Sequence, residues 1–259
     1  MNKRFGSYGY IPDPVDSRDH QFSLHPKAMD PTPLPDTVNM MGGMPPVYDQ
    51  GQMNSCVANA VCAACQYNET DDGFNVVPSR LFMYYYARYL DNLLPEDEGS
   101  SIRTSMRVAA AYGTPPESAW QYTQSNQAVK PPEEVEALAR KNVALEYVRV
   151  ATAIIEEMRR CLFSFKPFVV GIMLHSSFES DDVANTGEVP MPGSNEPELG
   201  PHAMLVVGYA HRRRRFLLRN SWGSRWGFNG YCWVPYEMVT HSAEDAWAIR
   251  KMQDAPVLV

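Results

Sequence analysis

The sequence predicts an α+β chain of two lobes, with helices first and an antiparallel sheet after them. Residues 55–112 carry sustained apolar stretches broken by Pro78 and Gly113, which is helix punctuation. After about residue 145 the pattern shortens to alternating or continuous apolar runs of strand length, separated by turn formers. This segregation argues for separate helical and sheet layers rather than repeated βα units.

Taken in order, residues 1–33 hold several prolines and polar turn formers without an apolar period, and read as an extended arm. The alanine-rich stretch Ser55–Asn68 reads as a buried helix capped by Ser55. A second helix opens at Ser79 after Pro78, and a third runs from Ser101 to Tyr112, stopped by Gly113 and the Pro115-Pro116 pair. The helical lobe is placed at about 50–145 and the sheet lobe at about 146–259, the latter joined by an N-terminal strand. Within the sheet lobe, Glu146–Val150, Phe168–Leu174, Ala203–Tyr209, Arg215–Asn220 and Gly230–Pro235 are the expected strands, and Glu156–Phe163 suits a short helix. Residues 180–201, with Asp181-Asp182 and several prolines, read as a surface loop.

Composition excludes several function classes. The chain has 259 residues, 44% of them hydrophobic and 20% charged, enough to bury a core. Its net charge of −7 provides no global basic field, so neither nucleic acid nor a membrane is an expected partner. The basic run Arg212–Arg215 reads as a solvated turn. Met1–Tyr10 has no apolar segment behind its basic residues, so no secretory signal is expected. Five cysteines are an odd number for a disulfide framework and fit a reducing compartment. The chain is expected in the cytoplasm of its producing cell, or delivered to a host by another route. Cys62 and Cys65 read as small core residues. Their C-x-x-C spacing has no second ligand pair, and neither a metal nor an organic cofactor is expected.

Chemistry concentrates in three separated places. Gln50-Gly51-Gln52-Met53-Asn54-Ser55-Cys56 puts an amide donor near a thiol at a helix start, where the dipole and unpaired N–H groups favour a thiolate. Pro201-His202 precedes an apolar strand, and Asn220-Ser221-Trp222-Gly223 follows. If these converge, Cys56 is a nucleophile, His202 its general base and acid, and Asn220 the group that orients the imidazole. Gln50 and the Cys56 N–H would then form an oxyanion hole, and Trp222 would shield the His202–Asn220 bond. His175 is a rival base at a strand end, and Trp226 reads as a core aromatic.

The cysteine segment resembles the nucleophile signature of the papain-like cysteine peptidases (C1-type). Residues 201–209 resemble that family's histidine strand, and Asn220–Tyr231 its asparagine block. The likeness extends over about residues 34–250. It implies a two-lobed papain-like fold with a helical left lobe and a barrel-like antiparallel right lobe, over residues 34–259. It also implies hydrolysis of a peptide or protein substrate through a Cys56 thioester. Gly99, Ser100, Asn54, Trp222 and Ala203 fall at the family's substrate-binding positions. Departures are Met53 in place of a disulfide cysteine, Val57 after the nucleophile, Ser100 after Gly99, and Pro201 before His202. The pattern is closer to bacterial and viral members than to secreted ones. Two alternatives share the scaffold: an acyltransferase or deamidase-type effector acting on protein side chains, and a non-catalytic binding module. The arm precedes the peptidase-like domain, and two readings of it stand side by side: residues around Tyr10 to Phe22 lie across the lobes and partly cover the cleft as a propeptide-like restraint, or the arm packs there with no regulatory role.

Overall fold

Alanines at 58, 60, 63 and 64 narrow the flanks of the first helix, α1 (Cys56–Asp71), and let it lie buried among α2 (Arg80–Leu90), α3 (Ile102–Ala111) and the sheet. A helix apolar on every side belongs in a core. The computed structural model describes residues 8–71 and 76–254; the expectations for residues 1–7 and 255–259 lie outside them. Ser79 and Ser101 cap α2 and α3, accepting from the backbone N–H groups of Phe82 and Thr104 at 3.2 Å each. The Ser55 hydroxyl instead engages Tyr122 Oη, 2.5 Å away, and accepts from Asn59 Nδ2. A short helix that the sequence reading had not separated, α4 (Glu133–Ala139), places three glutamates in its first turn.

The sheet contains β4 (Asn142–Arg149), β5 (Phe168–His175), β6 (Glu198–Ala210), β7 (Arg215–Arg219), β8 (Tyr231–Pro235) and β9 (Ala243–Asp254). Its strands are antiparallel in the order β4-β9-β5-β6-β7-β8, with β2 (Thr37–Asn39) added beside β6. β4 and β8 are the two ends, so the sheet is open rather than a closed barrel. Alternation on the central strands feeds two cores. Val169, Ala203, Leu205 and Val207 face α1, whereas Phe168, Val170, Met204 and Val206 face the opposite core. Burial on both sides explains why β5 and β6 read as continuous apolar runs; each buried branched side chain there contributes roughly 1.5–3 kcal/mol.

Two stretches differ from expectation. Residues 180–201 are not all loop: the Ser180 hydroxyl accepts from Val183 N at 3.2 Å and starts α6 (Asp181–Thr186), and β6 already begins at Glu198. Beyond Pro235 come α7 (Tyr236–Ser242) and the long β9, which sits between β4 and β5. The basic turn after β6 is held by acids. Arg212 meets Asp36 at 2.7 Å, Arg213 and Arg215 meet Glu188, and Arg214 meets Glu237.

The arm connects the lobes. β1 (Tyr10–Ile11) pairs in parallel with β3 (Ser100–Ser101) at the start of α3. Farther along, Phe22 is fully buried against Phe165, and Arg149 N donates to His20 O at 2.7 Å. The segment therefore contacts the helical lobe at one end and the sheet lobe at the other.

Candidate active site

Backbone pairing brings the first and third motifs together. Gln50 N donates to Ser221 O at 2.9 Å, and Gly223 N donates to Tyr48 O at 3.0 Å. Side chains reinforce this. Ser221 Oγ donates to Gln50 Oε1 at 2.6 Å, which fixes the amide so that Nε2 is directed toward the turn before Cys56, donating to Met53 O at 2.9 Å. Tyr122 adds a link that the sequence reading missed: its hydroxyl donates to Gln50 O at 2.9 Å while contacting Ser55. No motif marks Tyr122; only its place across the fold gives it this role.

The imidazole is oriented by a double contact. Asn220 Oδ1 accepts from Ser221 N at 2.8 Å and lies 2.9 Å from His202 Nε2. An atom that already accepts from a backbone N–H is the amide oxygen, so Nε2 must carry the proton. In the neutral ring, Nδ1 is then the acceptor. Trp222 lies 5.2 Å from the His202 ring, braced by Phe178 and Trp226. Both His202 and Asn220 are almost fully buried, which strengthens their bond. Ile172 pairs with His202, and His175 ends the same strand three positions farther, opposite Glu198. That is roughly 10 Å along the strand, so His175 does not share the Asn220 contact.

Cys56 opens α1, which packs on the strand carrying His202. The spacing of the two walls is marked by the arm. Gly9 lies against Asn54, where an added Cβ would come within 1.8 Å of the Asn54 carbonyl oxygen. The adjoining Tyr8 places its ring 5.6 Å from that of His202. One dipeptide thus reaches both walls, and neighbouring Cα atoms are only about 3.8 Å apart.

Three of the expected substrate-binding residues touch the arm at Gly9. Ser100 N donates to Gly9 O at 2.9 Å, Gly99 lies against the Gly9 backbone, and Asn54 meets Gly9 from the other side. Trp222 is 6.2 Å from the Tyr8 ring. Ala203 is set apart, packed in the core shared with α1. Gly99 is held by Tyr84, whose hydroxyl accepts from Gly99 N at 3.2 Å and donates to Asp97; Asp97 in turn accepts from Asn54 N at 3.1 Å. The Tyr10 ring fills a pocket over Gly171, where a Cβ would come within 2.1 Å of the ring, and its hydroxyl donates to Asp245. Tyr8 likewise donates to Glu179. The sequence reading had singled out neither Tyr8 nor Gly9 for these contacts.

The other cysteines have no such setting. Burial pushes the thiols of Cys62, Cys65, Cys161 and Cys232 well above the usual thiol range. Among the described residues, no group of three or more His, Cys, Asp or Glu could hold a metal ion. Nor is any described helix long and apolar enough to cross a membrane.

A sequence model of the papain family cysteine proteases matches residues 34–248. The chain belongs to that family. The protease is 40% identical over 217 residues to an uncharacterized peptidase C1-like protein of Acanthamoeba polyphaga mimivirus, covering 80% of this chain and 70% of the viral one. Its fold is similar to that of xylellain, a cysteine protease from Xylella fastidiosa, with 33% identity and a TM-score of 0.87 over 97% of this chain and 98% of that one. A digestive procathepsin L 3 from Tenebrio molitor shares the fold at 18% identity, with a TM-score of 0.69 over 90% of this chain and 75% of that one. The protease is accordingly a hydrolase of peptide bonds. Family membership does not favour side-chain acyl transfer or a purely binding role.

Proposed function

We propose that Cys56 attacks the peptide carbonyl, that His202 moves the protons, and that residues 8–22 restrain this chemistry by occupying the cleft. The observation that carries the first part is the shared contact of Asn220 Oδ1 with His202 Nε2 and Ser221 N. With Nε2 engaged, Nδ1 takes the Cys56 proton as the sulfur bonds to the carbonyl carbon. The oxygen that gains charge is received by the Cys56 N–H and Gln50 Nε2. The protonated imidazole then gives its proton to the leaving nitrogen, the C–N bond breaks, and a thioester remains. Water, deprotonated by the same ring, attacks the thioester and returns the thiol. Trp222 covers the imidazole–amide bond and keeps its surroundings at low dielectric.

Contacts of the arm support the second part. Gly9 and Tyr10 lie along the Gly99–Ser100 edge, which an extended substrate would use, and Tyr8 lies beside His202. The protease would therefore behave as a zymogen whose substrate edge is already paired. Buried free thiols fit work in a reducing environment. Mass analysis of a peptide library tests the chemistry: chain scission that requires Cys56 is expected, and side-chain mass changes without scission would contradict it. Deleting residues 1–19 tests the restraint, since unchanged turnover in a folded variant would contradict it.

A further inference from the structure

The arm is fastened by a buried cluster with more carboxylates than it has cations to match them. Asp13 and Asp19 of the arm meet Arg103 of α3, Asp19 also meets Arg149 of β4, and Asp245 of β9 joins them through Asp13. Arg103 and Arg149 each bond Asp19, at 2.7 and 3.0 Å, and Arg103 reaches Asp13 only at 3.9 Å through its guanidinium. Asp13 N donates to Asp245 Oδ2 at 3.1 Å, which draws the two carboxyl groups into one buried space. Side-chain exposure is 3% for Asp13, and Asp245 is 1% exposed. Among the described residues, three buried acids against two largely buried guanidiniums leave one negative charge without a match. A lone buried charge is costly, and taking up one proton removes it.

Hydrogen bonds to the two carboxyls favour their charged forms but do not cancel the effect of burial. Ser101 hydrogen-bonds Asp13, Arg103 N donates to Asp13 Oδ2 at 2.8 Å, and Trp247 Nε1 donates to Asp245 Oδ1 at 3.1 Å. The Tyr10 hydroxyl, on the arm itself, also donates to Asp245. Asp91, at the C-terminal end of α2, and Glu244, on β9, add further negative charge, whereas Arg107 and Arg18 are exposed to solvent. The closed arm thus needs a proton that the open arm, with Asp13 in water, would release.

We propose that Asp13 and Asp245 form a proton-dependent latch: one shared proton holds the arm in the cleft, and its loss as pH rises lets the arm out. The proposal adds a regulatory input to the restraint proposed above, and rests on it only for the effect on turnover. Burial, followed by the Asp245 charge, pushes Asp13 up to about 6, and burial raises Asp245 as well. The sign follows. Carboxyls raised in the closed form stabilise it fully below the ordinary carboxylate range, and that stabilisation fades as pH rises through about 6. From pH 5 to pH 7.5 the opening equilibrium should increase about tenfold.

Hydrogen exchange of the full chain carrying Cys56→Ala, which cannot digest itself, reads the latch directly. After correction for intrinsic exchange rates, protection of residues 9–19 should fall about tenfold between pH 5 and 7.5. Asp13→Asn keeps the acceptor for Arg103 N and mimics the protonated acid, so protection should then be high and level. If that variant fails to fold, Asp245→Asn provides the same comparison. Equal protection at both pH values, or an unchanged pH dependence in the folded variants, overturns the latch. Turnover of the chain with Cys56 intact, divided by that of its Asp13→Asn variant, should rise in parallel. Arm opening with a flat turnover ratio would uphold the latch and contradict the restraint.

Discussion

Gly9 and Gly99 touch backbone to backbone: a Cβ built on Gly99 would lie 2.1 Å from the Gly9 carbonyl oxygen. Only residues without side chains allow the arm and the helical lobe this close, and Gly99 also holds a φ of +99° that few other residues adopt. Gly9 is pressed from the other side by Asn54. The contact gives the arm a close approach that substitution can block.

Gly9→Val should therefore lift the arm while leaving the groove walls intact. The expected result is faster labelling of Cys56 by a thiol-directed peptidyl epoxide and higher turnover than the parent chain. Unchanged rates for both would remove the arm from the control of access.

Replacing His202 by alanine should lower kcat by about 10²–10⁴-fold, the usual contribution of a positioned acid–base group. Asn220→Ala should cost less, because the imidazole remains but its tautomer is no longer imposed by Oδ1. Steady-state kinetics across pH would show it: the Asn220 variant should alter the profile of kcat, and a change confined to KM would contradict the assignment.

Gln50→Ala removes a side-chain donor while leaving the backbone link to Ser221 in place. Loss of one oxyanion-hole donor typically costs about 10²–10³-fold in kcat. A matching fall in kcat, with a folded protein and a similar KM, is expected. Retained kcat would show that Nε2 serves only the Met53 carbonyl.

Tyr84→Phe tests how the substrate edge is supported. It deprives Gly99 N–H of its acceptor and Asp97 of a donor. An unsatisfied buried group costs about 1–3 kcal/mol, which denaturant unfolding would resolve. KM for an extended peptide should rise as well, once the Gly9→Val change has cleared the edge.

The parts legible in the sequence were those with local signals. Ser79 and Ser101 announce their helices as caps, and the three chemical motifs carry their spacing with them. α6 has only six residues, too few for a helical period to stand out from the surrounding Asp and Pro. β9 opens on Ala243-Glu244-Asp245, without an apolar run, so its place between β4 and β5 is hidden, and with it the buried Asp245. Tyr84, Asp97 and Tyr122 act through partners distant in sequence. Such roles arise from tertiary packing, and no local pattern reveals them.

The most direct measurement is intact-mass analysis after epoxide labelling, paired with peptide turnover, for the protease and its Cys56→Ala variant. One label per chain, located on Cys56, is expected, with no label and no turnover in the variant; all five thiols are buried, but only Cys56 sits at a helix start among the site residues, and burial makes the other four hard to ionise. Labelling at another cysteine, or undiminished hydrolysis by Cys56→Ala, would contradict the assignment of Cys56 as the nucleophile.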